Sequence, residues 1–394
     1  MSLLRRTVLR HGILTLLGIL GISQALTVQW GLLALGRGGV GVPSALLAVF
    51  AIAALNLGVL LLLRALSRRR PLVFAASRLY MVTTIGSLVA APLLAIAFLA
   101  GSLPALAGQP DAARWTILSL GTLALTLGHG SIAWGALVGR HRVTVDQVAI
   151  PMRPLPQALE ALRCIQISDL HIGPQLRAPR LRVLVEQVNE VEGDLIVVTG
   201  DLFDFDPAFI EEGCRELAEL SAPLGVYAIL GNHDAYTGRE AVAAGLRRWT
   251  SIRLLRDEWI PIEAYGERLI LLGHEDPGEG WSDRDCESPA LEKLCRDAPA
   301  AWPRILLSHR PAFFGQAARL GIPLMLSGHT HGGQISLPGR LRHHNVARLI
   351  SHWTRGRFER GPSTLYVNRG LGVGGPPVRV NCPPEISRIR LVQG

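Results

Sequence analysis

Paired cysteines are missing from this chain. Cys164, Cys214, Cys286, Cys295 and Cys382 are scattered, odd in number and contain no CxxC pair. That excludes a disulfide framework and favours a reducing compartment. Internal repeats and long low-complexity tracts are also missing. Charge is sparse, at 18% of the 394 residues, and too few acids are present to balance the bases, leaving a net +9. Hydrophobic residues make up 49%, more than an average soluble domain carries. The excess is concentrated near the N-terminus, so the two halves are read separately.

Residues 1–140 read as an all-α membrane domain. A helix needs about 20 mostly apolar residues to cross a bilayer. Four stretches qualify, at about 12–35, 43–64, 79–101 and 115–138. Arg5, Arg6 and Arg10 precede the first, as in a signal peptide. No clear small-residue cleavage site follows it, however, and three more apolar spans do. Arginines also flank the second connection (Arg64, Arg68, Arg69, Arg70, Arg78) and follow the fourth span (Arg140, Arg142). The opposite loops carry only Arg37, and Asp111 with Arg114. The positive-inside rule then places everything after residue 140 in the cytoplasm of a multi-pass cell-membrane protein. His129, inside the fourth span, is either a functional group or a neutral imidazole bonded within the bundle.

Residues 141–160 read as a linker, because Pro151, Pro154 and Pro156 discourage helix. Val143–Val145 is a possible first edge strand. From 161 to 394, strands and helices alternate, which predicts an α/β sheet domain. Short apolar runs at 164–167, 195–198, 226–230, 269–272, 305–307 and 322–326 each stop at a polar cluster. Helices are expected at about 177–190, 207–220 and 238–248. Ligands gather at the carboxyl ends of strands in such sheets.

The polar clusters supply Asp169, His171, Asp201, Asn232, His309, His329 and His331. Carboxylate, imidazole and amide oxygen together suit a borderline divalent metal such as Mn, Fe, Zn or Co. Seven donors exceed one ion's needs, so two divalent ions are expected, with one carboxylate able to bridge them. Two metals about 3.5–4 Å apart can bind a phosphate's oxygens and hold a hydroxide for attack. His233 follows Asn232 and is free to act as general acid, with Asp234 or Asp204 to orient it.

At these residues the chain resembles the calcineurin-like metallophosphoesterases. Their pattern of Asp-x-His, Gly-Asp-x-x-Asp, Gly-Asn-His-Asp, a later His and Gly-His-x-His stands here in order. The resemblance covers about 160–394. His329-Thr330-His331-Gly332-Gly333-Gln334 and the tail Val367–Gly372 look like the membrane-associated phosphodiesterase branch, some members of which carry N-terminal spans. It implies a four-layer α/β/β/α sandwich. One metal, with Mn favoured, would sit on Asp169, His171, Asp201 and His331. The second would sit on Asp201, Asn232, His309 and His329, with Asp201 as the bridge and His233 as proton donor. The implied activity is hydrolysis of a phosphodiester or pyrophosphate by a metal-bound hydroxide. Relatives that cleave UDP-diacylglucosamine suggest a lipid-linked substrate. Two competitors stay open: a general phosphodiesterase on soluble substrates, with the spans as anchor, and a non-enzymatic membrane sensor with a regulatory metal domain.

Arg310 is either a substrate-phosphate contact or a solvated charge. His274, His343 and His344 read as loop or surface, Cys164 and Cys214 as core, and Gly200, Gly231 and Gly328 as tight turns. In 338–361, Arg340, Arg342, Arg348, Arg355, Arg357 and Arg360 mingle with Leu349, Ile350, Trp353 and Phe358. That mixture suits either anionic membrane lipids or an ordinary solvated loop. No nucleic-acid partner is expected, because topology accounts for the arginines beside the spans.

Overall fold

The computed structural model describes residues 3–37, 42–66, 71–278, 285–349 and 351–394. It forms two compact units, Met1–Leu137 and Val138–Gly394.

Four helices occupy the four apolar stretches: α1 (Leu3–Ala34), α2 (Val42–Leu66), α3 (Pro71–Leu106) and α4 (Pro110–Leu137). Among the described residues, Leu17–Ala34, Ala75–Leu106 and Pro110–His141 are each long and apolar enough to cross a membrane. The corresponding part of α2 is shorter, Leu47–Val59. Polar groups inside this unit find one another, as an apolar surround requires. Asn56 donates to Gln24 at 2.8 Å, and Gln24 donates to Thr84 at 3.3 Å. His129 lies 3.2 Å from the Leu125 carbonyl and 3.4 Å from the Ser87 hydroxyl, so its imidazole is bonded within the bundle.

The second unit alternates strand and helix. In order it contains β1 (Thr144–Met152), β2 (Arg163–Ile167), α5 (Ala178–Asn189), β3 (Leu195–Thr199), α6 (Ile210–Leu217), β4 (Val226–Ile229), α7 (Asn232–Trp249), β5 (Arg253–Leu254), β6 (Glu258–Ala264), β7 (Glu267–His274), α8 (Pro289–Asp297), β8 (Arg304–Ser308), α9 (Phe314–Arg319), β9 (Leu324–Ser327), β10 (Gly356–Arg360), β11 (Ser363–Val367) and β12 (Glu385–Gln393). Two six-stranded sheets result, ordered β1-β12-β2-β3-β4-β5 and β10-β11-β9-β8-β7-β6.

The strand sequences alternate between two apolar environments. Ile165, Ile167, Ile196 and Val198 pack with Leu181, Leu184, Cys214 and Leu246 of α5, α6 and α7. Their neighbours Cys164, Leu195 and Val197 face Leu269, Leu271, Ile305, Leu307, Leu324 and Leu326 of the other sheet. On that sheet's far side, Ile270, Leu272, Leu306 and Met325 meet Leu291 and Leu294 of α8 and Phe314 and Ala317 of α9. The cores therefore lie between helix and sheet, sheet and sheet, and sheet and helix.

Three local expectations differ from the structure. The stretch 141–160 is not a linker throughout, since β1 pairs with β12 over nine residues, from Thr144 opposite Glu385 to Met152 opposite Gln393. Ile150 and Met152 are buried there, and Pro151 is tolerated because β1 is an edge strand. Helix α7 begins at Asn232 rather than near 238 and changes direction at Gly238, whose φ is +120°. In 338–361, Trp353 and Phe358 pack against the α8/α9 core instead of facing solvent. Arg355 is buried, and Arg357 pairs with Glu359 at 3.2 Å.

Candidate metal centre

Five strand ends converge. Asp169 and His171 follow β2, Asp201 and Asp204 follow β3, Asn232 and His233 follow β4, His309 follows β8, and His329 and His331 follow β9. Both sheets contribute, and buried polar side chains tie them together beneath the site. Gln166 of β2 donates to Thr199 of β3 and to the Ser327 carbonyl of β9, each at 3.0 Å. His309 Nδ1 lies 2.7 Å from the Thr199 carbonyl. That contact orients the ring and aims Nε2 at Asp201, 3.1 Å away.

The backbone at these turns is unusual. Asp169, His171, Asp201, His329 and His331 all have φ between 50° and 71°, in the left-handed region where non-glycine residues are uncommon. Each costs about 1–3 kcal/mol, an expense concentrated where side chains must be aimed. Two glycines permit the crowding. A Cβ on Gly328 would stand 2.2 Å from Asp169 Oδ2, and one on Gly231 would stand 2.2 Å from Asp201 Oδ1.

Six of the seven expected metal donors are brought together in two sets. Asp169, His171 and His331 form one set with donor atoms within 4.8 Å of one another, and Asp201, His309 and His329 form another. His171 Nε2 faces His331 Nε2 at 2.9 Å, and His329 Nδ1 faces His309 Nε2 at 3.3 Å. Asp201 Oδ2 lies between the sets, 3.1 Å from His309 and 3.7 Å from His171. Asn232 Oδ1 is buried and accepts no hydrogen bond among the described residues. An orphaned buried acceptor and imidazole nitrogens that face one another both fit divalent cations. When bound, such ions neutralise phosphoryl oxygens and acidify water.

The charges agree with that fit. Burial raises the Asp201 carboxyl, but His309, His233 and His171 outweigh it and hold it well below the usual range. Burial lowers His309, yet Asp201 brings it up to about 10. A metal bound there would displace a proton, and its affinity would fall as pH drops. Melting of the full-length protein should show both effects. Adding Mn at about one hundred times its Kd should stabilise the protein by about 2.7 kcal/mol over the EDTA-treated form. The shift should shrink from pH 8 to pH 6. An equal shift at both pH values would contradict the displaced proton.

His233 sits at the rim. Its amide donates to Asp201 Oδ1 at 2.8 Å, and its Nδ1 lies 2.9 Å from Asp204 Oδ1. This leaves Nε2 for a substrate. Asp204 Oδ1 also lies 3.5 Å from His171 Nδ1. Burial raises the Asp204 carboxyl, but hydrogen bonds to His171 and His233 prevail and hold it at about 2. Of the two carboxylates expected to orient His233, only Asp204 touches its ring.

Asp234 has another task, which corrects its expected catalytic place. It is fully buried and accepts from the amides of Gly231, Leu202 and Phe203 at 2.9, 3.2 and 2.9 Å. It thus pins the start of α7 to the turn after β3. Burial and the nearby Asp201 charge push it up to about 7 against those three donors. Asp204→Asn should lower kcat about 10- to 100-fold, while Asp234→Asn should act mainly on the melting temperature. Equal losses of kcat with unchanged melting temperatures would refute the distinction.

Arg310 is also corrected. It is buried, and its Nε and Nη2 donate to the two Asp276 oxygens at 2.7 and 2.9 Å. The fork that would grip a phosphate is taken by Asp276. His274 bridges the Ser308 and Ser288 hydroxyls at 3.1 Å each and is no ligand.

Sequence reasoning missed Arg379. It is fully buried, and Nη2 donates to the carbonyls of Arg369, Gly370 and Gly372 at 2.8, 3.0 and 2.6 Å. The same nitrogen lies 3.4 Å from His331 Nδ1. The segment it fastens covers the β2 turn, with Leu371 and Gly372 donating to the Ser168 and Asp169 carbonyls. No local motif marks an arginine whose partners are backbone carbonyls.

Comparison with known proteins agrees with this arrangement. Residues 162–333 match the calcineurin-like phosphoesterase family. An uncharacterized metallophosphoesterase of Aquifex aeolicus is 32% identical over 243 residues, spanning 61% of this chain and 89% of that protein. Two proteins named transmembrane protein with metallophosphoesterase domain are each 30% identical. The alignment with the Bos taurus protein covers 65% of this chain and 59% of that one; with the Danio rerio protein it covers 69% and 62%. The chain thus spans less than two thirds of these two relatives.

Proposed function

Because the chain belongs to the calcineurin-like phosphoesterase family, we propose that it is a membrane-anchored, dinuclear metal-dependent phosphoesterase acting on phosphodiester or pyrophosphate bonds. The observation that carries this is the convergence of donors from five strand ends around Asp201, with His233 at the rim. Asp169, His171, Asp201 and His331 would hold one ion, and Asp201, Asn232, His309 and His329 the other, with Mn favoured. Asp204 holds His233 Nδ1, so the opposite nitrogen delivers a proton to the departing oxygen. Water is the nucleophile, which gives phosphomonoester and alcohol from a diester, or two phosphomonoesters from a pyrophosphate esterified at both ends.

The helices of the first unit support membrane insertion, and the arginines beside them support a cytoplasmic catalytic unit. A lipid-linked pyrophosphate is the favoured substrate. Leu337, Leu341, Val346 and Leu349 are 50–76% exposed among Arg340, Arg342 and Arg348, in a run without an acidic residue from Gln334 to Phe358. Exposed aliphatics among arginines suit anionic lipid headgroups.

The test uses full-length protein in nanodiscs with Mn. A nucleotide-diphosphate lipid should be cleaved with kcat/KM at least about tenfold above any water-soluble diester, which corresponds to about 1.4 kcal/mol of added transition-state binding. Preference for soluble diesters throughout would favour the general phosphodiesterase instead.

A further inference from the structure

The rim of the metal centre carries two aromatic rings that catalysis does not use. Phe205 follows Asp204 directly, and Tyr236 lies one turn into α7. Their rings are parallel to within 8°, with centroids 5.6 Å apart. Both crowd the His233 imidazole, Phe205 at 4.8 Å and Tyr236 at 5.4 Å between centroids.

Two features of these rings are costly. Phe205 is 51% exposed and Tyr236 is 38% exposed, so apolar ring surface stands in water beside the most polar cluster of the unit. Phe205 also adopts φ +58°, which for a bulky side chain is a true outlier. Strain of this kind persists where the surroundings hold a residue in a working position. Here the hold is local: the Asp204 carboxylate is tied to His233, and the Phe203 amide to Asp234.

We propose that Phe205 and Tyr236 form a stacking wall that binds a planar ring of the substrate, of nucleobase kind, on the side where His233 protonates the departing group. This deepens the phosphoesterase reading and rests on it. Flat aromatic faces favour another flat ring. The exposed aliphatic residues that would suit an acyl chain gather elsewhere, in 337–349. A substrate with a base at one end and a chain at the other would engage both surfaces.

Titration calorimetry on the full-length, Mn-loaded protein tests the wall without turnover. The probes are AMP, ribose 5-phosphate and inorganic phosphate. AMP should bind about tenfold more tightly than ribose 5-phosphate, the amount one stacked base contributes. Phe205→Ala and Tyr236→Ala should each remove most of that difference and leave ribose 5-phosphate binding in place. Phe205→Tyr and Tyr236→Phe should retain it. Equal binding of AMP and ribose 5-phosphate by the unaltered protein would overturn the proposal. So would alanine variants that weaken both ligands by the same factor, because that marks a structural role. Because only binding is read, its failure is separate from a failure of the phosphoesterase reading, which shows as absent turnover.

Discussion

Asp201→Asn is expected to lower kcat/KM by about a thousandfold or more and to remove at least one of two bound metal equivalents. The carboxylate stands between both donor sets and is the group each ion would share. The substitution is nearly isosteric, and an amide oxygen can still accept the His233 amide that Asp201 Oδ1 now accepts at 2.8 Å. What is lost is the negative charge. Metal-supplied charge stabilisation is worth several kcal/mol, and each 1.36 kcal/mol is tenfold in rate. Without metal the change should also lower the melting temperature, because His309, His233 and His171 hold the Asp201 carboxylate well below its usual range and outweigh its repulsion with Asp234. Metal content by mass spectrometry, kinetics and melting in EDTA measure the three parts. Two metal equivalents with kcat/KM within tenfold of the unaltered protein would remove Asp201 from the bridging position.

His233→Ala should lower kcat about 10²- to 10⁴-fold, the usual contribution of a positioned general acid, while both metal equivalents remain. The ring is held by Asp204 at 2.9 Å and stands edge-on to His171, with centroids 4.5 Å apart. It is therefore placed by the site without being needed in either four-donor set. The loss should depend on the leaving group. A nitrophenolate needs little help from a proton, so its diester should suffer least, whereas an alkoxide leaving group should suffer most. Equal losses for both would mean that His233 stabilises charge instead of donating a proton. Loss of metal would mean that it belongs with His171 and Asp201 as a ligand, since its donor atom lies within 4.8 Å of theirs.

The donors were legible because each sits where an apolar run stops. Leu195–Thr199 ends at Gly200-Asp201, and Leu324–Ser327 ends at Gly328-His329. A strand that must end at the surface of a sheet leaves its next residues at the site, whatever the distant pairing. The order of the strands was not legible. That β12 inserts between β1 and β2 depends on contacts across more than two hundred residues. The same limit hid β1, whose prolines suggested a linker until its buried Ile150 and Met152 found the other sheet. It also left Asp204 and Asp234 equivalent. Both follow a donor at short spacing, and only the fold turns one toward His233 and the other toward three backbone amides. Arg310 misled for a related reason, because an arginine beside a ligand histidine reads the same whether it faces substrate or a buried Asp276. Phe205, Tyr236 and Arg379 lie outside the motif blocks, so only geometry marks them.

Purified full-length protein with added Mn, given a chromogenic phosphodiester beside its matching monoester, should cleave the diester faster. EDTA should abolish that cleavage and Mn restore it, with two metal equivalents bound. No metal-dependent turnover of either ester, with both equivalents in place, would contradict the phosphoesterase reading and favour a regulatory metal domain.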